Sequence, residues 1–111
     1  MAYDEDLANR IRELLADEVG VVEKRMFGGL AFLISGHMTV AASGQGGLLM
    51  HCHPEESEEL LTKPHASPMV MRGRELRGWV RVADEGLATK RALKVWVQRS
   101  VRHARSLPPK G

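Results

Sequence analysis

The 111-residue sequence predicts an α+β domain with a largely antiparallel sheet. Apolar residues recur at helical spacing near both ends of the chain, while short strand-like runs fill the middle. Most of those runs are joined by tight glycine-containing turns, which favour hairpins. Strand runs interrupted by helices and connected mainly by hairpins belong to the α+β class.

The first helix is expected where Leu7, Ile11, Leu14 and Leu15 share one face, with Asp4 or Asp6 as its cap and Gly20 as its end. Val21 to Phe27 is strand-like. Leu30 to Ile34 and Met38 to Ala42 make a hairpin about Ser35-Gly36, and Leu48 to about Cys52 follows the loop Ser43-Gly44-Gln45-Gly46-Gly47. Pro54 suits the first position of a short helix, with Glu55 and Glu56 at its positive end. Lys63-Pro64 stops that helix, and Pro64 to Pro68 reads as a connector. Met69 to Met71 and Leu76 to Val82 form a second hairpin about Arg72-Gly73-Arg74. A last helix runs from about Leu87 to Ser106, and Pro108-Pro109 closes a frayed tail. The expected order is α-β-β-β-α-β-β-α, with one domain over residues 1–106 and a tail over 107–111.

Composition narrows the class. Hydrophobic content of 43% and charged content of 27% are ordinary for a globular chain. No apolar run approaches the roughly 20 residues that span a bilayer. The acidic start Met1-Ala2-Tyr3-Asp4-Glu5-Asp6 lacks the build of a secretory signal. Cys52 is the one cysteine, so an internal disulfide is excluded and a reducing, cytoplasmic setting is expected. Net charge is only +2, but it is unevenly placed: residues 1–22 hold six acidic and two basic residues, whereas residues 90–111 hold seven basic and none acidic. Such asymmetry either steers partners or is cancelled by the two segments lying side by side.

The motif with most information is Arg25-Met26-Phe27-Gly28-Gly29, followed by an apolar strand, the Ser35-Gly36 turn and His37-Met38. Paired glycines there imply a backbone that turns, bulges or lets another strand come close. They lack the preceding strand, glycine spacing and following helix of a phosphate loop. This segment, with Arg25, Met26, Phe27, Gly28, Gly29, Gly36 and Met38 as its signature, resembles the N-terminal domain of the TfoX/Sxy family, whose best-known members regulate bacterial competence. Gly78-Trp79-Val80-Arg81-Val82 is the second strong stretch, and the likeness extends from about Tyr3 to the end. The resemblance implies a fold similar to bacterial secretion chaperones and a regulatory, non-catalytic role. Competence regulators of the family carry a second, helical domain, and activity that needs that domain is not carried over. The triplet His51-Cys52-His53 departs from the apolar or small residues expected there.

Three chemistries compete for the remaining residues. On a strand, His51 and His53 share a face, and imidazoles at that spacing can ligate zinc if other residues complete the set. A buried thiol between two solvated histidines is the simpler account. Neither flanking histidine faces Cys52, which disfavours a cysteine nucleophile, and no catalytic residue is assigned. On the last helix, Leu93, Trp96, Val97, Val101 and Ala104 form the packed stripe, while Arg91, Lys94, Arg102 and Arg105 lie opposite and could contact nucleic-acid phosphates. A solvated basic face explains the same pattern. Finally, Leu30 to Leu33 is apolar at every position, so both faces of the sheet are expected to be covered, one by helices and one by a protein partner or a second copy in a homodimer.

Overall fold

A computed structural model describes residues 3–26 and 28–108. Phe27 of the signature and residues 109–111 of the expected tail lie outside the described residues. Helix α1 (Glu5–Leu14) starts at Asp4, whose carboxylate accepts the N–H groups of Asp6 and Leu7. It ends at Leu14, earlier than the expected stop at Gly20. Leu15 closes the last turn on Ile11, Ala16 bonds back to Glu13, and Gly20 at φ +80° then swings the chain into the sheet.

The strands are β1 (Val21–Met26), β2 (Gly29–Ile34), β3 (His37–Ala42), β4 (Leu48–His51), β5 (Ala66–Met71) and β6 (Arg74–Val82). They form one sheet in the order β1-β2-β3-β4-β6-β5, with every neighbouring pair antiparallel. All four strand-like runs ahead of the second helix are therefore strands, one more than the expected order counts. Two hairpins turn on paired residues with positive φ, Ser35-Gly36 and Arg72-Gly73, as two-residue turns matched to strand twist require. The run Pro64 to Pro68, expected as a connector, instead contributes to β5. Pro68 is tolerated because β5 lies at the sheet edge.

Helix α2 (Pro54–Leu60) lies between β4 and β5, and α3 (Lys90–Ser106) follows a 3-10 turn over Asp84–Leu87. The last helix begins at Lys90, three residues later than expected, because Thr89 caps it by accepting the N–H of Ala92. The principal core is built on one face of the sheet. Phe32, Val40, Leu48, Met50, Val80 and Val82 meet Leu7 and Ile11 of α1, Leu60 of α2, and Leu93, Trp96 and Val97 of α3. A second apolar cluster is built from Ala31, Ala41, Leu49 and Met69, all buried, with Met26, Leu33, Met38, Leu76 and Trp79 half-buried around them. These are all strand residues. The helices thus cover one face, as expected, and among the described residues no helical side chain joins the other cluster.

Candidate functional site

The second face is organised by ladder register. Directly opposed residues on neighbouring strands point to the same side of a sheet. One row therefore crosses the sheet as Lys24, Ala31, Ala41, Leu49 and Arg81. An adjacent row carries Val22, Leu33 and Met38. A register shift in β3 next to Thr39, whose hydroxyl donates to Phe32 O at 2.6 Å, brings Met38 opposite Leu33. At the far edge, Met71 pairs with Arg74. Val22 and Met71 are 59% and 41% exposed, so the apolar surface reaches both margins.

Signature residues occupy this face in two ways. Met26 and Met38 contribute side chains to it. Gly28 lies in the connection between β1 and β2 and Gly29 begins β2, and the two are glycine for different reasons. Gly28 takes φ +71° in open space, whereas Gly29 has ordinary φ and no room, since a Cβ there would overlap the carbonyl oxygen of Ala42. Gly36 takes φ +85° in its turn, and Arg25 is exposed on the edge strand β1.

The histidine triplet lies at a corner where four elements meet. His51 ends β4 opposite Trp79, and the two rings stack at a centroid distance of 4.4 Å. His53 is the cap of α2, its Nδ1 accepting the N–H of Glu55 at 3.2 Å. His103 of α3 meets His51 edge-on at 5.0 Å and His53 at 6.0 Å between ring centroids. His37 of β3 is bonded through Nε2 to the Pro108 carbonyl oxygen. The corner is braced by Ser57, which donates to Pro54 O at 2.7 Å and accepts the buried Gly78 N–H at 3.0 Å, while Cys52 N–H donates to Gly78 O at 2.8 Å. Strand β4 stops at His51 and His53 is already the cap of α2, so the two histidines do not share a strand face as expected; each instead meets His103, which comes from a distant part of the chain. Among the described residues, no group of three or more His, Cys, Asp or Glu is arranged to hold a metal ion.

Cys52 is buried, and its thiol is pushed up to about 11, mainly by burial and also by Glu56, with Arg99 opposing. It is protonated at neutral pH and is a weak nucleophile. Iodoacetamide at pH 8 is expected to label native protein at least about 100-fold more slowly than urea-unfolded protein, as a shift of this size in thiolate population requires. Equal rates would show an accessible, ionisable thiol.

Burial lowers the pKa of His103, and neighbouring His53 and His37 lower it further against the opposing effect of Glu56. The folded state thus favours neutral imidazole. Its stabilising contribution is complete above the unfolded value and is lost as pH falls through the lower folded value. The urea midpoint is expected to drop between pH 7.5 and pH 5, with a smaller drop in His103→Leu. The same drop in both proteins would remove His103 as the cause.

The basic stripe of α3 divides. Arg91, Lys94 and Arg102 are exposed. Arg105 donates to Glu18 at 3.0 Å and to the Val19 carbonyl at 2.8 Å, and Lys90 pairs with Glu13 at 3.1 Å. The acidic beginning and basic end of the chain therefore do lie side by side and partly compensate. Sequence reading missed His103, Met69 and Leu76. No local signal marks them, because only strand order and helix docking bring them to these positions.

A two-faced antiparallel sheet with helices on one side defines the class as an α+β scaffold whose second apolar face is covered by no helix among the described residues. The TfoX N-terminal domain model matches residues 13–104, and the chain belongs to that family. No curated protein and no solved structure matches it significantly.

Proposed function

We propose that this protein is a non-catalytic interaction module of regulatory type that receives a protein partner on the second face of its sheet. The observation that carries this is the Met-rich apolar cluster formed by strands alone, with Leu33, Met38 and Trp79 only half-buried. Flexible methionine side chains suit a surface that accommodates a partner. The protonated, buried Cys52 is consistent with a role without nucleophilic chemistry.

Selection from a random peptide display library against the immobilised protein tests the module. Enriched peptides should lose binding to Leu33→Glu, provided that circular dichroism shows the variant to be folded. Failure to enrich, or peptides indifferent to Leu33→Glu, would overturn it.

A second reading rests on the exposed Arg91, Lys94 and Arg102, which could contact phosphates of nucleic acid. A labelled duplex should then show anisotropy that falls steeply with salt and is lost in the triple Ala variant. Absence of binding at low salt would exclude it.

A further inference from the structure

Resting on the interaction-module reading, we infer that the occupant of the open face is an acidic amphipathic helix from another protein, and not a second copy of this chain. The argument is one of charge and span. The six strands contain only two acidic residues, Glu23 and Glu75. Both belong to the other side. Glu23 pairs with Phe32 of the principal core and is held by Arg12 of α1 at 2.7 Å, while Glu75 immediately precedes Leu76 of the second cluster on β6 and so alternates away from it.

By the same register, the open face carries Lys24, Arg74 and Arg81 around its methionine, leucine and tryptophan centre. Arg81 is partly engaged: it donates to Ser43 at 3.0 Å and lines a cleft of about 280 Å³ with Asp84 and Glu85, which follow β6. Lys24 and Arg74 therefore supply the charge most available to a partner, one on the edge strand β1 and the other beside the turn into β6.

Self-association through this face would set basic residues against basic residues, with no strand carboxylate on either copy to pair them. Like-charge juxtaposition of this kind disfavours a partner. A helix with a leucine- or methionine-rich stripe and carboxylates beside it meets both demands, by the groove-binding logic of amphipathic helices. From Lys24 to Arg81 the row crosses four inter-strand steps, about 19 Å at ~4.8 Å each; Ala31, Ala41 and Leu49 within it are fully buried, so a helix on this face rests on the half-buried Leu33, Met38, Leu76 and Trp79. At ~1.5 Å per residue, about 13 helical residues cover that distance.

The test uses two synthetic 18-residue helices with the same Leu/Met stripe, one flanked by Glu and the other by Lys. Calorimetric titration is made against wild type, Lys24→Glu/Arg74→Glu and Leu33→Glu, each checked for folding by circular dichroism. The Glu peptide should bind wild type, lose about tenfold or more in affinity to the charge-reversed protein, and lose binding to Leu33→Glu; the charge-reversed protein should in turn prefer the Lys peptide. Equal affinity of both peptides for wild type overturns the acidic assignment and leaves the module reading standing. So does a dimer in native mass spectrometry that Leu33→Glu dissociates, since the occupant is then a second copy. Binding of the Glu peptide that survives Leu33→Glu overturns the inference by placing the contact elsewhere, such as the α3 stripe. Binding only to phosphatidylglycerol vesicles overturns it in favour of a lipid surface. Silence of both peptides overturns it as well, and the display selection then decides separately whether the face binds proteins at all.

Discussion

Gly29→Ala is expected to destabilise the fold by about 3 kcal/mol or more, while its neighbour Gly28→Ala costs only about 1 kcal/mol. The difference comes from two unlike demands on adjacent glycines. Gly28 occupies the left-handed region at φ +71°, with nothing within 4 Å of where a Cβ would stand. Alanine there bears only the conformational penalty of an L-residue. Gly29 pairs with Met26 at the start of β2 and faces the end of β3. A Cβ would overlap the Ala42 carbonyl oxygen and lie 2.9 Å from the Gly44 backbone nitrogen. Backbone atoms cannot rotate aside as a flexible side chain can, so β2 and β3 must separate where Leu30 pairs with Ala42. Urea unfolding of both variants checks this. Equal losses, or a larger loss at Gly28, would mean that the tight approach of the two strands does not govern the hairpin's stability.

Phe32→Ala and Leu33→Ala, one residue apart on β2, should behave very differently. Phe32 is fully buried in the principal core, opposite Val40 on β3, and its truncation is expected to cost about 3–5 kcal/mol through lost burial and an unfilled cavity. Leu33 points into the strand-only cluster and is half-buried, so its truncation should cost about 1–2 kcal/mol. A protein of this size has about 5–15 kcal/mol of stability, so Phe32→Ala removes a large part of it. Comparable losses at the two positions would show that the second face is packed as firmly as the first. The open-face reading would then fail.

Much of the local architecture was legible because it rests on local physics. Asp4 capping α1, Pro54 at the first position of α2 and the glycines of the Ser35-Gly36 and Arg72-Gly73 turns all act through atoms a few residues away. Element boundaries were less legible where competing signals overlapped. Gly20 looked like a helix stop, although tightening around Leu15 had already ended α1. Pro68 looked like part of a linker, yet an edge strand does not need the N–H that proline lacks. Apolar Leu87 suggests an earlier start for α3, but Thr89 accepts the Ala92 N–H and sets the start at Lys90.

The candidate site was legible in fragments. Met26, Met38 and Trp79 stood within the two stretches that resemble the family, and the unbroken apolar run at Leu30–Leu33 indicated burial on both faces. The histidine pair at 51 and 53 was visible too, but His103 and Trp79 reach it only through the docking of α3 and the pairing of β4 with β6.

By itself, the amino-acid order determined the α+β class, the hairpin turns, the capped helices and the family, since periodicity, capping and turn chemistry are encoded over a few neighbouring residues. Only the tertiary structure decided that β6 inserts between β4 and β5, that the acidic and basic ends of the chain meet, and that all three helices pack on one side. Those outcomes depend on contacts between residues far apart in the chain, whose pairing follows from burying the helical stripes and the sheet together. Among the described residues, the same packing leaves the methionine-lined face without a helix.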